Sequence, residues 1–164
     1  MIFWYIFGFA MAGTIGWLAS IVHASGHAPL GLTSLVFGSI LGATMSGIAA
    51  SLEITETRRL VIGTILVAML TVLAEHAWLY LDFLRQWQQA IAAKPQAALF
   101  RQAPPSAAEY FSHELTPASA ALWCLDALLI VANATGAVFV LQRKWLGRNA
   151  NPQSAIRNQP DTRT

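Results

Sequence analysis

The chain of 164 residues is 55% hydrophobic and 11% charged, with a formal net charge of +2, whereas an average soluble domain carries about 25% charged residues. That balance excludes nucleic acid as a partner, and a single cysteine, Cys124, excludes an intrachain disulfide and a zinc cluster built on thiolates. Residues 1–52 hold no Lys, Arg, Asp or Glu, Glu53 being the first charge. Lipid offers the backbone no hydrogen-bond partners, so this pattern implies spanning helices and an all-α, integral membrane four-helix bundle.

A hydrocarbon core takes about 20 helical residues to cross, and four apolar runs suffice: 2–22, 30–52, 60–84 and 118–141. The first lacks the basic flank and the cleavage site of an export signal, so it is expected to stay as a span. Its Gly8, Ala12, Gly16 and Ser20 recur every four residues, and Gly38, Gly42, Ser46 and Ala50 do the same in the second run. Small residues let helix backbones approach closely in lipid, where apolar contact alone gives no drive to associate. Both stripes therefore predict a tight hairpin of the first two spans, joined through the turn chemistry of Gly26 and Pro29.

After the short charged break at 53–59, the third run carries into strong helix formers at 82–93, which extend its helix beyond the bilayer until Pro95. In the outer loop, 85–117, Ser106 and Glu109 have the spacing of a capping box, opening a short surface helix with Tyr110, Phe111 and Leu115 on its apolar face. Thr116 and Pro117 read as an N-cap followed by proline at the first helical position. The spanning domain is set at 1–146, and the Asn-, Gln-, Pro- and Arg-rich segment 147–164 is expected to be a disordered basic tail.

Four crossings place both termini on one side. That side collects Arg58, Arg59, Arg143, Lys144, Arg148, Arg157 and Arg163, against Arg85, Lys94 and Arg101 on the other. Positive charge stays inside, so both termini are expected in the cytoplasm of a bacterial inner membrane.

Glu75, His76, Asp126 and Asn133 stand where polarity is unfavourable, by about 2.5–3.5 kcal/mol for a mid-membrane carboxylate. Glu75 shares a helix face with Thr64, Ala68 and Thr71, and Ser119, Asp126 and Asn133 share another. At a rise of about 1.5 Å per residue, Glu75 and Asp126 sit about 9 and 10 Å below the outer surface, with Asn133 deeper. The two stripes are expected to face each other or the interior, either as cross-helix packing or as a proton or cation path opening outward. His23, His27, His76 and His113 all fall in the outer half and are weak metal candidates, because their spacing matches no complete ligand motif. No metal or cofactor is expected. Trp4, Tyr5, Trp78, Tyr80, Trp87, Trp123 and Trp145 lie near span ends and read as an interfacial aromatic belt.

The Gly-rich segment 31–47, the run Ala74-Glu-His-Ala-Trp-Leu-Tyr80 and the run Leu122-Trp-Cys-Leu-Asp-Ala127 resemble a group of uncharacterised bacterial four-span membrane proteins. Residues 7–51 are also similar to the glycine-rich hairpin of small transglycosylase-associated membrane proteins, with 23–29 in place of the usual basic loop. Neither resemblance carries a catalytic residue, and no nucleophile stands beside a base and an orienting group. The expected function is that of a non-enzymatic structural or interaction protein, whose partners are the bilayer and either another membrane protein or a second copy. The alternative is a small transporter or proton-coupled subunit using Glu75 and Asp126.

Overall fold

The computed structural model describes residues 2–25, 31–93 and 103–149. It contains α1 (Ile2–Ala24), α2 (Leu32–Ser51), α3 (Thr57–Ala93), α4 (Ala107–Glu114) and α5 (Pro117–Asn149). The chain is all-α in these residues, and α1, α2, α3 and α5 are each long and apolar enough to cross a membrane. At about 1.5 Å per residue, α3 is about 55 Å long against a hydrocarbon core of about 30 Å. Its last turns therefore project beyond any bilayer that holds its apolar part.

Local chemistry sets the helix ends. Gly31 precedes α2 with a φ of 78°, where a side chain would be strained. α2 stops in a Schellman turn: Glu53 takes a left-handed φ of 54°, its N–H bonds the Ala50 carbonyl, and the Ile54 N–H bonds that of Ala49. Ile54 is buried there, the apolar contact that accompanies such an ending. At the other end of the chain α5 runs to Asn149, three residues into the segment expected to be disordered. A lone Gly147 costs about 1 kcal/mol in a helix, too little to stop one already propagating. Residues 150–164 lie outside the described residues.

Gly8, Gly16, Gly38 and Gly42 of the two small-residue stripes are points of close approach, but they do not zip α1 to α2 as the sequence suggested. Along α1, Trp4 meets Gly63, Gly8 meets Val67, and Gly16 lies against Thr71, Ala74 and the backbone of Glu75, all on α3. Along α2, Gly38 lies against Ile130 and Asn133, and Gly42 against Ala134 and Ala137, all on α5. Residue numbers rise together on both sides, so each seam joins two parallel helices. α3 also packs on α5, and α1 touches α2 chiefly at Met45, whose carbonyl accepts the Trp4 indole N–H at 3.0 Å.

The reason is that close approach needs small groups on both partners. α3 supplies Gly63 and Ala74, with Thr64 and Thr71 turning their hydroxyls onto the carbonyls of Leu60 and Val67 at 2.7 and 3.0 Å. α5 supplies Ala134 and Ala137.

The core is lopsided. Trp4, Leu41, Met45, Leu60, Val67 and Val138, all under 2% exposed, fill the half of the molecule away from α4. Towards the α4 end, where Ile130 is 2% exposed, the packing gives way to a cavity, and that is where the chemistry collects.

Candidate functional site

The site is roofed by α4, which forms through the capping box its sequence announces. The Ser106 hydroxyl accepts the Glu109 N–H at 3.3 Å, and the Ser106 N–H donates to the Glu109 carboxylate at 2.7 Å. The Ser106 backbone N–H, then its hydroxyl, hold the Glu109 carboxyl below its ordinary pKa range. A depressed carboxylate pKa stabilises the fold above the unfolded value and loses that contribution as pH falls through the folded one. α4 is therefore expected to loosen below about pH 4, and Ser106→Ala to weaken it by about 1 kcal/mol at neutral pH. Tryptophan fluorescence during acid titration checks both; an emission unmoved by acid and by Ser106→Ala would refute the cap's role.

Aromatic rings fix α4 on α3. Tyr110 lies 4.9 Å from Phe83 and 5.4 Å from Tyr80, centroid to centroid, and the Tyr80 hydroxyl donates to the Pro105 carbonyl at 3.0 Å. Phe111 lies 6.3 Å from Trp123, and Trp123 packs edge-on to His76 at 4.1 Å. Burial, then Glu114 and Asp82, push the Tyr110 hydroxyl above its ordinary pKa, so it stays neutral. These contacts revise the aromatic-belt reading. Tyr80, Trp87 and Trp123 belong to a cluster around α4, and Trp4 is a buried core residue, 1% exposed. α5 then starts as its sequence indicates, with the Ser119 N–H bonded to the Thr116 hydroxyl at 3.1 Å and Pro117 in its first turn.

Beneath this roof, between the ends of α1, α2, α3 and α5, lies a cavity of about 490 Å³. Glu75, His76 and Asp126 all line it, as does His23. The two carboxyls thus line one cavity, each with its own partner on a neighbouring helix. Glu75 reaches across to α1, 3.4 Å from His23 Nδ1, and Asp126 accepts the Ser34 hydroxyl of α2 at 2.8 Å. The two stripes share a cavity and do not bond each other. Asn133 is not among the cavity residues; its amide donates to the Leu35 carbonyl at 3.3 Å, within the α2–α5 seam.

His76 Nδ1 lies 2.8 Å from the Val72 carbonyl one turn back, and its Nε2 is buried with no hydrogen-bond partner among the described residues. His113 is exposed on α4, and His27 lies outside the described residues. No group of three or more His, Cys, Asp or Glu placed to hold a metal occurs among the described residues.

Sequence reasoning missed Thr33, Ser34 and Phe37 as cavity residues. Ser34 could have been found by sliding the Gly38–Gly42 stripe along α5 until small residues met, since that register also brings Ser34 to Asp126. No protein-family model matches the chain, and neither a curated protein nor a solved structure is similar enough to match it. The residue roles below therefore rest on the geometry alone.

Proposed function

We propose that this is a multi-pass bacterial inner-membrane protein, a four-helix bundle with both termini in the cytoplasm. Its outward-facing vestibule admits a small ligand or a proton to Glu75 and Asp126. The observation that supports this most is the cavity itself, which gathers both carboxyls, His23 and His76 at one end of the molecule. The orientation rests on seven cations flanking the closed end against three in the loop that roofs the vestibule. Intramembrane ionisable groups beside a cavity are the usual mark of a substrate or proton route. The protein would act as a small transporter or a proton-coupled subunit. A second reading, a non-enzymatic structural or interaction protein, draws on the tightly packed half around Trp4 and Met45.

Cysteine accessibility separates the two. In a Cys124→Ser background, Thr33→Cys should react with a membrane-impermeant maleimide added outside spheroplasts, while Ala49→Cys, at a fully buried position, should not. Failure of Thr33→Cys to label from outside, with the protein present at normal abundance, would remove the vestibule and leave association as the better account.

A further inference from the structure

Resting on the vestibule reading, we propose that His23 is a pH-sensitive latch at the rim of the cavity: its protonated ring holds the last turn of α1 against Glu75 of α3, and loss of that proton releases the turn.

The latch joins two helices at a place where packing does not. His23 stands in the last turn of α1, its Nδ1 3.4 Å from the Glu75 carboxylate. Below it the α1–α3 seam is tight: Gly16 lies on Thr71, Ala74 and the backbone of Glu75, and Ala19 and Ser20 are buried. From Ile21 to Ala24 no residue is buried. A turn with few buried contacts opens at a small cost in free energy, so a charge contact is enough to set its position.

The groups around the ring make that contact depend on its proton. Across the cavity His23 faces Glu75 and His76 of α3, Tyr110 and Glu114 of α4 and Asp126 of α5, while α2 brings only neutral residues. Three of these groups are carboxylates, and among the described residues no Lys or Arg lines the cavity. His76 turns its Nδ1 to the Val72 carbonyl and has a buried Nε2, whereas the His23 side chain is 52% exposed. His23 is thus the imidazole that exchanges protons with the outer solution. Charged, it is attracted to all three carboxylates and is favoured by its place at the C-terminal end of α1. Neutral, it keeps at most a hydrogen bond to Glu75, and the carboxylates are left to repel one another across the opening.

Histidine changes charge between about pH 5 and 8. The contact is present while the ring is protonated and is lost as pH rises through its titration, so the vestibule is narrow in acid and wide in alkali.

The test uses the full chain in lipid nanodiscs, in a Cys124→Ser background, with nitroxide labels on Ala24→Cys and Leu81→Cys, both exposed positions on the two helices. The distance between the labels, measured by pulsed electron spin resonance, should be short and narrowly distributed at about pH 5, and longer and broader at about pH 8. His23→Gln, which keeps a hydrogen-bonding side chain without the charge, should give the longer distance at both pH values, and Glu75→Gln should abolish the response to pH. A distance that does not move with pH would overturn the latch, as would a response that survives either substitution. Labelling of Thr33→Cys keeps the two readings apart. If that cysteine reacts from outside while the distance ignores pH, the latch fails and the vestibule stands; if it does not react at either pH, the vestibule itself fails.

Discussion

Gly42→Leu is expected to prevent α2 from seating on α5, with a loss of about 3 kcal/mol or more. A Cβ at Gly42 would already run into the carbonyl oxygen and Cα of Ala134 and the Cβ of Ala137. Backbone atoms cannot swing aside as a flexible side chain does, so the helices must separate along the whole seam that also holds Asp126 against Ser34. Gly47, on the same helix, has nothing within 4 Å of the equivalent position. Gly47→Leu should therefore be neutral or slightly stabilising, because leucine is the better helix former by up to about 1 kcal/mol. Thermal denaturation of the two glycine variants in mild detergent decides the matter; equal melting would mean that α2 and α5 do not approach this closely.

Trp4→Ala should be comparably damaging, at about 3–5 kcal/mol. The indole is 1% exposed, lies on Gly63 of α3 and donates to the Met45 carbonyl of α2, so a single side chain near the N-terminus ties three helices together. Trp4→Phe keeps much of the packing and loses the hydrogen bond, a smaller change of about 1 kcal/mol. An interfacial tryptophan of an aromatic belt would tolerate either substitution with little effect. Folded yield and melting temperature of both variants distinguish these roles, and a near-normal Trp4→Ala protein would return Trp4 to the belt.

The contrast between Gly42 and Trp4 also marks what the sequence could and could not reveal. Apolar run length located all four long helices, and the bonding chemistry of Ser106, Glu109, Thr116 and Pro117 located the start of α4 and of α5. Four-residue spacing identified Gly8, Gly16, Gly38 and Gly42 as points of close approach, and rise per residue placed Glu75 and Asp126 near one end of the molecule, where both line the cavity. Each of these is a property of one helix read along its own axis. Which helix meets which face is not such a property. Periodicity defines a stripe without naming its partner, so α1 was matched to its neighbour in the chain when α3 had the complementary small residues. Tryptophan was ambiguous for a related reason: an aromatic near a span end satisfies an interface, a cap or a core equally well until the opposing surface is known. His23 went unpaired for the same cause, since Glu75 lies on a helix that the expected hairpin did not include.

The parallel pairing of α1 with α3 and of α2 with α5 has a bearing on how such a chain is made. In the four-span arrangement proposed above, α1 and α2 enter the bilayer first, yet neither meets the partner its glycines fit. Gly16 must wait for Thr71 and Ala74, and Gly42 for Ala134 and Ala137, the nearer of which lies 92 residues further along the chain. The nascent chain is thus held in an open form in which two seams of exposed backbone stand unpaired in lipid. The α1–α3 seam can close once α3 has entered, but the α2–α5 seam closes only when the last helix arrives, and the cavity comes into being only at that moment.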